Sequence, residues 1–380
     1  MSRFAVVGLG RIGLASLFML NRLGYEAYGV SNTMESVEAA RSLGLEAYLG
    51  DIVANPHVLD RHGGADVVLL ALPGSVGFRG LKGLVGAGYN VVDVSFFPED
   101  PGPLGPLAEE RGVTVVVDAG VAPGLSNMLV ARAKRLYDIR GAHIFVGAIS
   151  RDPNAPLGLT STWSVSDLLE EYIRPARMIV NGEVKKVMPL DAPVGKAKFE
   201  GLGVLEYAPT DGLRSLLYTI GRDMDELVEY TLRWEGHYEL VKSLDRIGLL
   251  SSRRVNVDGC PVEPRACLAR VLEHVLPRGN DLVVLVVEGW RDGKCIKYTT
   301  IVTPRNFYTA ISLATSSFHV SSALLLAEGY LRKGLIYPEE LGMDKRTSSR
   351  VIRFLESQGV VVAERSGGLE VCIQPPGRDS

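Results

Sequence analysis

Three glycines near the start of the chain, Gly8, Gly10 and Gly13, have the spacing of a turn that binds a dinucleotide. A short apolar run precedes them and a helical pattern follows, so strand, tight turn and helix come in the required order. The first glycine permits the turn, the second lets the backbone approach a pyrophosphate, and the third lets helix and strand pack closely. The free N–H groups at the helix start then face the phosphates. We therefore expect NAD or NADP as cofactor, with Arg11 and Ile12 also in contact with it.

The residues after the second predicted strand leave the choice between NAD and NADP open. A cofactor with a free ribose 2′-hydroxyl is usually held by Asp or Glu at this place. This chain has Ser31-Asn32-Thr33 there instead. Small polar residues suit a 2′-phosphate or permit either cofactor, which gives a slight preference for NADP. Ser31 and Asn32 are accordingly predicted to bind this end of the cofactor.

Further cofactor contacts are predicted at the carboxyl ends of later strands. Strand and helix patterns alternate over residues 1–125, which predicts six strands with helical crossovers in a doubly wound parallel sheet. Ligands of such sheets bind outside the carboxyl ends of the strands, so the segments Ala71–Gly74, Asp93–Phe96 and Asp118–Gly124 should converge. An ordinary turn explains Pro73-Gly74 equally well. The additional predicted cofactor contacts are Asp51, Ala71, Leu72, Pro73, Asp93, Ser95 and Ala119.

Composition excludes several classes of function. The formal net charge is −3, and scattered Lys and Arg residues give no surface for nucleic acid or for an anionic membrane. The four cysteines form no CxxC pair and, with the six histidines, no metal-ligand spacing. We expect them to be buried free thiols in a reducing cytoplasm, and no metal site. The first predicted strand begins almost at Met1, so no signal peptide is expected. The apolar stretch 310–327 carries several Ser residues, so it is expected to be packed rather than membrane-spanning.

Beyond residue 125 the pattern changes to a mixed α+β domain with an antiparallel sheet, expected to end near residue 305. Within it we predict a helix over Asp211–Ile220 and a two-fold homodimer interface. A long helix over Phe307–Ile336 is predicted to return to the first domain, followed by a small helix-and-strand appendix. The predicted domains are thus 1–125, which binds the dinucleotide, 126–305, which is catalytic and dimerising, and 306–380.

Several segments resemble the saccharopine dehydrogenase-like superfamily, most closely its lysine 6-dehydrogenase branch. The resemblance covers roughly residues 1–345. One difference is that relatives often have a returning helix close to Ala-Arg-Thr-Thr-Gly-Phe, whereas this chain reads Leu313-Ala-Thr-Ser-Ser-Phe318. The segments that carry the resemblance are Val91–Glu99, Val117–Asn127, Thr162–Tyr172, Arg174–Arg177, Thr210–Arg214 and Leu232–His237.

The resemblance implies oxidation of a primary amine, in which the lysine ε-carbon gives a hydride to nicotinamide and water hydrolyses the imine to a semialdehyde. The ammonium must first lose its proton, which calls for a base or an apolar setting. His237, at a predicted helix start that favours a neutral imidazole, and Asp118 are the candidates for the base. A packing role for His237 and a turn-stabilising role for Asp118 remain open.

The remaining predicted contacts are with the substrate. Its carboxylate needs a cation, ideally an arginine that binds it through two hydrogen bonds. Arg214 is the first candidate and Arg174 the second, while Trp163 and Ser164 could line the pocket. Two alternatives stay open: a saccharopine- or carboxynorspermidine-type reductase, and a catalytically inactive protein that binds NAD(P).

Overall fold

The computed structural model describes residues 2–161 and 164–373, so the predicted pocket residue Trp163 lies outside the described residues. The chain divides into two compact units. The first unit comprises Met1–Arg132 and Ser312–Val361, and the second unit comprises Ala133–Ile311 and Val362–Ser380.

The described residues form strands in both units. In chain order they are β1 (Arg3–Val7), β2 (Glu26–Ser31), β3 (Ala47–Leu49), β4 (Val67–Leu70), β5 (Val91–Asp93), β6 (Thr114–Val116), β7 (Gly141–Ser150), β8 (Ala176–Val180), β9 (Glu183–Val187), β10 (Gly195–Phe199), β11 (Gly203–Pro209), β12 (Glu226–Trp234), β13 (Val255–Val257), β14 (Cys260–Val262), β15 (Asp281–Arg291), β16 (Lys294–Val302), β17 (Gly334–Ile336) and β18 (Ala363–Gly368).

The α-helices alternate with these strands in the first part of the chain and are more widely spaced later. They are α1 (Arg11–Arg22), α2 (Met34–Ser42), α3 (Gly74–Gly86), α4 (Leu104–Arg111), α5 (Leu125–Tyr137), α6 (Val165–Ile173), α7 (His237–Arg246), α8 (Pro264–Val275), α9 (Ala310–Ala327), α10 (Pro338–Met343) and α11 (Lys345–Ser357).

The sheet of the first unit is parallel throughout and has the order β17-β6-β5-β4-β1-β2-β3. β1 lies between β2 and β4, which creates the switch point where doubly wound folds bind ligands. The strands β1 and β4 are apolar and almost completely buried, which is typical of a parallel sheet that is covered on both faces. The predicted Rossmann sheet is confirmed.

The end of the first unit differs from the prediction of one long helix over Phe307–Ile336. The helix α9 ends at Ala327, and Gly334–Ile336 form the strand β17, which pairs in parallel with β6. Pairing with a strand far away in sequence buries Leu335 and Ile336, a gain that a local helical pattern does not reveal. The residues predicted as the third domain, 306–380, are divided between the two units.

Helix α9 is long and apolar enough to span a membrane by length and composition alone, but 78% of it is buried within the protein. Its buried serines donate their hydroxyl protons to carbonyls of the preceding turn, as Ser317 does to Leu313 and Ser322 to Phe318. This arrangement satisfies the polar groups of a core helix, as the sequence predicted. His319 is also buried, with its ring between the Ser16 hydroxyl and the Val92 carbonyl.

The sheet of the second unit is mixed rather than purely antiparallel, because β7 pairs in parallel with β12 and antiparallel with β15. The sheet runs β10-β11-β12-β7-β15-β16-β18, with β8 also pairing with β12 and β9. The sequence prediction missed β10, β11 and β12.

The predicted helix over Asp211–Ile220 is wrong: this segment contains a 3₁₀ turn at Arg214–Leu217, followed by another at Gly221–Asp223. Arg214 has a left-handed φ of 52°, which no α-helix accommodates.

The expectation of buried free thiols is also wrong. Cys295 and Cys372 form a disulfide, and Cys260 and Cys267 are free and exposed. The antiparallel pairing of β18 with β16 brings the end of the chain back to Cys295, a long-range event that cysteine spacing does not show. The reducing compartment stays a prediction, to which this disulfide gives no support.

Candidate functional site

The three glycines of the first turn have the geometry that each was predicted to need. Gly8 has a φ of +87°, and a Cβ there would lie 2.4 Å from the Ala71 carbonyl oxygen. A Cβ on Gly13 would lie 1.8 Å from the Gly8 carbonyl oxygen, so only glycine allows this packing. A Cβ on Gly10 would meet no atom of the residues that the structure describes within 4 Å. The backbone at Gly10 therefore faces open space that a pyrophosphate can fill.

The N-terminus of α1 is ready to bind an anion. Its N-cap is Gly10, its first turn has no acidic residue, and no side chain caps it among the residues that the structure describes. The N–H groups at the start of a helix, together with its dipole, favour a phosphate at this position. The residues present thus fit a dinucleotide, with Arg11 and Ile12 in the first turn of the helix.

At the predicted ribose end, Ser31 ends β2 and is buried, whereas Asn32 is exposed. The Asp51 carboxylate accepts hydrogen bonds from the backbone N–H groups of Val53 and Ala54, at 2.9 and 3.2 Å. Asp51 therefore organises its own loop, and a cofactor contact of this side chain remains a prediction.

The structure brings together the loops at the carboxyl ends of β4, β5 and β6. The Ser95 hydroxyl accepts from the Leu72 N–H at 3.1 Å, and the Ala119 N–H donates to the Asp93 carbonyl at 2.8 Å. Ala71 and Leu72 are half-buried, and the exposed Pro73 is the N-cap of α3. Asp118 is buried and has a φ of 53°. Such strained backbone is often found at functional sites, which keeps Asp118 a candidate.

The second unit contains a buried polar surface on one face of β12. Side chains alternate along a strand, so Glu229, Thr231 and Arg233 share one face, while Tyr230 and Leu232 point into the apolar core. All three polar residues are buried. We call this surface the polar face of β12.

A hydrogen-bonded network extends from Arg233 to His237. Arg233 donates to the Glu171 carboxylate at 2.8 Å and to the Tyr172 hydroxyl at 3.0 Å. The Tyr172 hydroxyl lies 2.8 Å from Nε2 of His237, and Nδ1 of His237 lies 2.8 Å from the Leu157 carbonyl oxygen. A carbonyl only accepts, so Nδ1 carries the proton and Nε2 accepts from Tyr172.

This network holds His237 in its neutral form. Burial, and then the positive charge of Arg233, lower the pKa of His237 to about 3. His237 begins α7, as predicted. Both of its ring nitrogens are hydrogen-bonded within the protein, so the network fixes the position of the ring. The role of His237 as a general base stays a prediction.

Three carboxyl groups interact at the polar face, and only two have an arginine partner among the described residues. Glu171 pairs with Arg233, and Asp211 binds Arg177 through two hydrogen bonds of 2.7 and 3.0 Å. Glu229 has no such partner, and its buried Oε2 finds no hydrogen bond within the described chain. Burial, with the nearby Glu171 and Asp211, raises the pKa of Glu229 well above its usual value.

A glycine makes room for the Glu229 carboxyl group. A Cβ on Gly212 would lie 1.5 Å from Oε1 of Glu229, so the Thr210–Arg214 segment approaches this carboxyl directly. Arg214 follows in the same segment and is buried with a left-handed φ, a strained conformation for an arginine. The resemblance pointed to this segment, and the structure places it beside the polar face.

Two other predicted substrate contacts lie at the two ends of α6. The Ser164 hydroxyl caps α6 by accepting from the Asp167 N–H at 3.3 Å. Arg174 is half-buried at the C-cap of α6. Their contacts with substrate stay predictions.

Sequence reasoning missed Tyr172, Glu229 and Arg233. A signal was present, because a Glu-x-Thr-x-Arg pattern alternating with Tyr230, Leu232 and Trp234 is typical of a strand with one polar face. Charged residues usually indicate an exposed face, whereas here α6 and the segment around Gly212 contribute to burying them.

Known proteins resemble this chain in sequence and in fold. The protein "Saccharopine dehydrogenase [NADP(+), L-glutamate-forming]" of Saccharomyces cerevisiae is 23% identical over 241 residues, which are 60% of this chain and 54% of that protein. "Alpha-aminoadipic semialdehyde synthase, mitochondrial" of Mus musculus is 24% identical over 198 residues, 49% of this chain and only 21% of that protein. This chain therefore spans about half or less of the length of these relatives.

The solved structure of apo saccharopine dehydrogenase (L-Glu forming) from Saccharomyces cerevisiae superposes with a TM-score of 0.77 at 17% identity. The superposition covers 97% of this chain and all of that one, so the two share a fold. The family model described as "Saccharopine dehydrogenase C-terminal domain" matches residues 120–360, most of the chain. The polar face of β12 and the Gly212 segment lie within the match. The chain belongs to the saccharopine dehydrogenase family.

Proposed function

We propose that this protein is an NAD(P)-dependent dehydrogenase that oxidises an amine of an amino acid, of the lysine 6-dehydrogenase type. The glycine cradle at Gly8–Gly13 supports binding of a dinucleotide. Membership of the saccharopine dehydrogenase family supports chemistry on an amino-acid C–N bond.

The observation that carries the proposal is the uncompensated acid of the polar face. Glu171 and Asp211 each have an arginine, whereas Glu229 is buried beside them with an oxygen that has no hydrogen bond to any residue the structure describes. Buried polar groups in native proteins are almost always satisfied, so such an exception needs an explanation. An ammonium group would supply the missing hydrogen bond, and its positive charge would stabilise the ionised form of this carboxyl group. We assign the substrate's ammonium group to Glu229.

The other roles follow from the chemistry that the substrate requires. Arg214 binds the substrate carboxylate, with Arg174 as the alternative. Asp118 or His237 takes the proton that the amine must lose. A bound NAD or NADP would supply the acceptor for the hydride that leaves the amine-bearing carbon. Water then replaces nitrogen at that carbon, so the products are an aldehyde, ammonium and the reduced cofactor.

Lysine incubated with the protein and NAD or NADP should yield reduced cofactor and a semialdehyde, at a rate that rises with pH as the ammonium loses its proton. Arg214→Ala should mainly raise KM, because a carboxylate clamp binds substrate and transition state about equally. Reduced nicotinamide is followed by absorbance, and the aldehyde is trapped by an amine reagent. The dehydrogenase proposal would be refuted if the protein binds NAD or NADP but reduces neither with lysine, ornithine or other terminal amines at any pH from neutral to alkaline.

A second candidate is a reductase that joins an amine to an aldehyde or keto acid. The name of the yeast relative favours it, since that protein is a saccharopine dehydrogenase that forms L-glutamate. Oxidation of reduced cofactor only when an amine and a carbonyl compound are both present would identify this reaction. Binding of cofactor without turnover in either direction would leave the third alternative, an inactive binding protein.

The cofactor preference should respond to one exposed residue. Asn32→Asp places a carboxylate just beyond β2, where it can accept from a ribose hydroxyl but repels a 2′-phosphate. We expect NADP to bind at least as well as NAD to the native protein, and the variant to prefer NAD by tenfold or more. Titration of both cofactors against both proteins measures this ratio, with Asn32→Ser as the uncharged control. An unchanged ratio would exclude Asn32 from the cofactor site.

A further inference from the structure

A disulfide and a buried carboxylate hold residues 363–373, which we call the tail, on the sheet of the second unit. The disulfide joins Cys295 on β16 to Cys372, which lies 77 residues later in the sequence. The Glu288 side chain on β15 is completely buried, and its two oxygens accept from the Ile373 N–H at 2.9 and 2.8 Å. Ile373 also packs against the hydrophobic core of this unit. The tail is therefore anchored at two successive residues.

Lys297 joins the tail to the same carboxylate. Its Nζ lies 3.1 Å from Oε1 of Glu288 and donates to the Val371 carbonyl oxygen at 3.4 Å. A buried carboxylate is costly unless it has hydrogen bonds and a positive partner. Lys297 supplies the charge, and the tail supplies the backbone donor. The tail thus completes the surroundings of Glu288.

The strand of the tail is weak on its own. β18 pairs with the edge of β16 from Lys294 to Thr299, but its sequence, Ala-Glu-Arg-Ser-Gly-Gly, contains no β-branched or aromatic residue. Five of its six residues are exposed and the sixth is half-buried. Glycine, glutamate and alanine are depleted in strands, and such a strand buries little apolar surface. The pairing of β18 therefore depends on the anchor at Cys372 and Ile373.

We propose that the Cys295–Cys372 disulfide is a redox latch, which in its oxidised form holds the tail on β16 and over Glu288 and which releases the tail when a dithiol reduces it. Release is local, because β15 keeps its pairing with β7 and β16 without the tail. This inference does not rest on the proposed enzymatic activity.

The more accessible sulfur decides how the reduction begins. Cys295 is only 3% exposed, whereas Cys372 is half-buried, so a thiolate of the reductant attacks the Cys372 sulfur. The S–S bond breaks, a mixed disulfide forms at Cys372, and Cys295 leaves as a thiolate that takes up a proton. The second thiolate of the reductant then attacks its own sulfur in the mixed disulfide, and Cys372 leaves as the second thiol. The dithiol gives up two electrons and becomes a disulfide.

Trypsin cleavage after Arg365 measures release of the tail, because a residue in a paired strand is cut only when that strand opens. The experiment uses a background in which the two exposed free cysteines are replaced, Cys260→Ser and Cys267→Ser, so that the disulfide alone responds to reduction. Dithiothreitol should speed cleavage after Arg365 tenfold or more. Cleavage after Lys185, on the exposed strand β9, should keep its rate.

The Ser background is also the matched control, because without reductant it should be cut after Arg365 as slowly as the native protein. Adding Cys372→Ser should give the fast rate with or without dithiothreitol. Peptide mapping of protein prepared without reductant should show the Cys295–Cys372 link, and its absence would overturn the proposal. So would a rate after Arg365 that reduction does not change. Equal acceleration after Lys185 would overturn it as well, since the disulfide would then stabilise the whole unit rather than the tail.

Discussion

Replacing Arg233 by methionine is expected to lower the free energy of unfolding of the second unit by about 3 kcal/mol, the lower end of the range for breaking a buried ion pair. The Arg233 side chain is only 3% exposed, and its partner Glu171 is 22% exposed. Methionine fills the space but leaves the Glu171 carboxylate without a cation and removes a donor from Tyr172. Urea denaturation, followed by a probe in the second unit, measures the change.

Two other variants separate the loss of the ion pair from a general effect of the substitution. Adding Glu171→Gln to Arg233→Met removes the uncompensated charge and should recover part of the lost stability. Arg140→Met breaks the pair with Asp225, whose side chains are 47% and 61% exposed, and should cost less than about 1 kcal/mol. Equal losses for Arg140→Met and Arg233→Met would show that burial of the pair does not matter.

Arg233→Met also tests the hydrogen-bonded network that links Arg233 to His237. The positive charge of Arg233 is one of the causes that lower the pKa of His237. Its removal should therefore raise the pKa of His237, which histidine resonances followed by NMR across acidic pH would detect. An unchanged pKa would mean that burial alone keeps this imidazole neutral.

The cofactor half of the protein was predictable because its signals are local. Gly8, Gly10 and Gly13 lie within one turn, and each has a steric requirement that its neighbours in sequence define. The alternation of apolar strands with helices likewise predicts a parallel sheet, because each connection between its strands is a helical crossover. The structure confirmed this sheet, and added β17 to its edge.

The second unit was less predictable because its key pairings join distant segments. β12 pairs in parallel with β7 and antiparallel with β11, and no short-range pattern specifies either partner. Its charged residues also suggested exposure, although Glu229 and Arg233 are buried. The left-handed φ of Arg214 ruled out the predicted helix, and a propensity argument has no access to such strain.

Glu229 illustrates the same limit and motivates the second large prediction. No motif singles out a glutamate in the middle of a strand, and its unusual environment appears only when its neighbours are known. Around it, Arg233 and Arg177 are committed to Glu171 and Asp211. Buried polar or charged residues that lack a partner within the protein are often found at functional sites.

Glu229→Gln is expected to lower kcat/KM for the amine substrate by at least about thirtyfold, since loss of a buried charged partner costs 2–5 kcal/mol.

The same change should not destabilise the fold. The pKa of Glu229 in the folded protein lies well above that of the unfolded chain, so its contribution to stability is complete below pH 4.5 and is lost as pH rises through the folded pKa. The amide does not titrate, so the stability of the variant relative to the native protein should increase with pH above 4.5.

Activity and thermal unfolding measured across the same pH range test both parts of this prediction. Glu183→Gln, the same substitution on the exposed strand β9, is the control and should change neither quantity. A purely structural role for Glu229 predicts that activity and stability fall together. Substrate recognition by Glu229 predicts that they change in opposite directions, because a carboxyl group that binds an ammonium is retained at a cost to the fold. Full activity in Glu229→Gln would exclude this residue from the amine site and leave Asp211 and Glu171 as the candidates for binding the ammonium group.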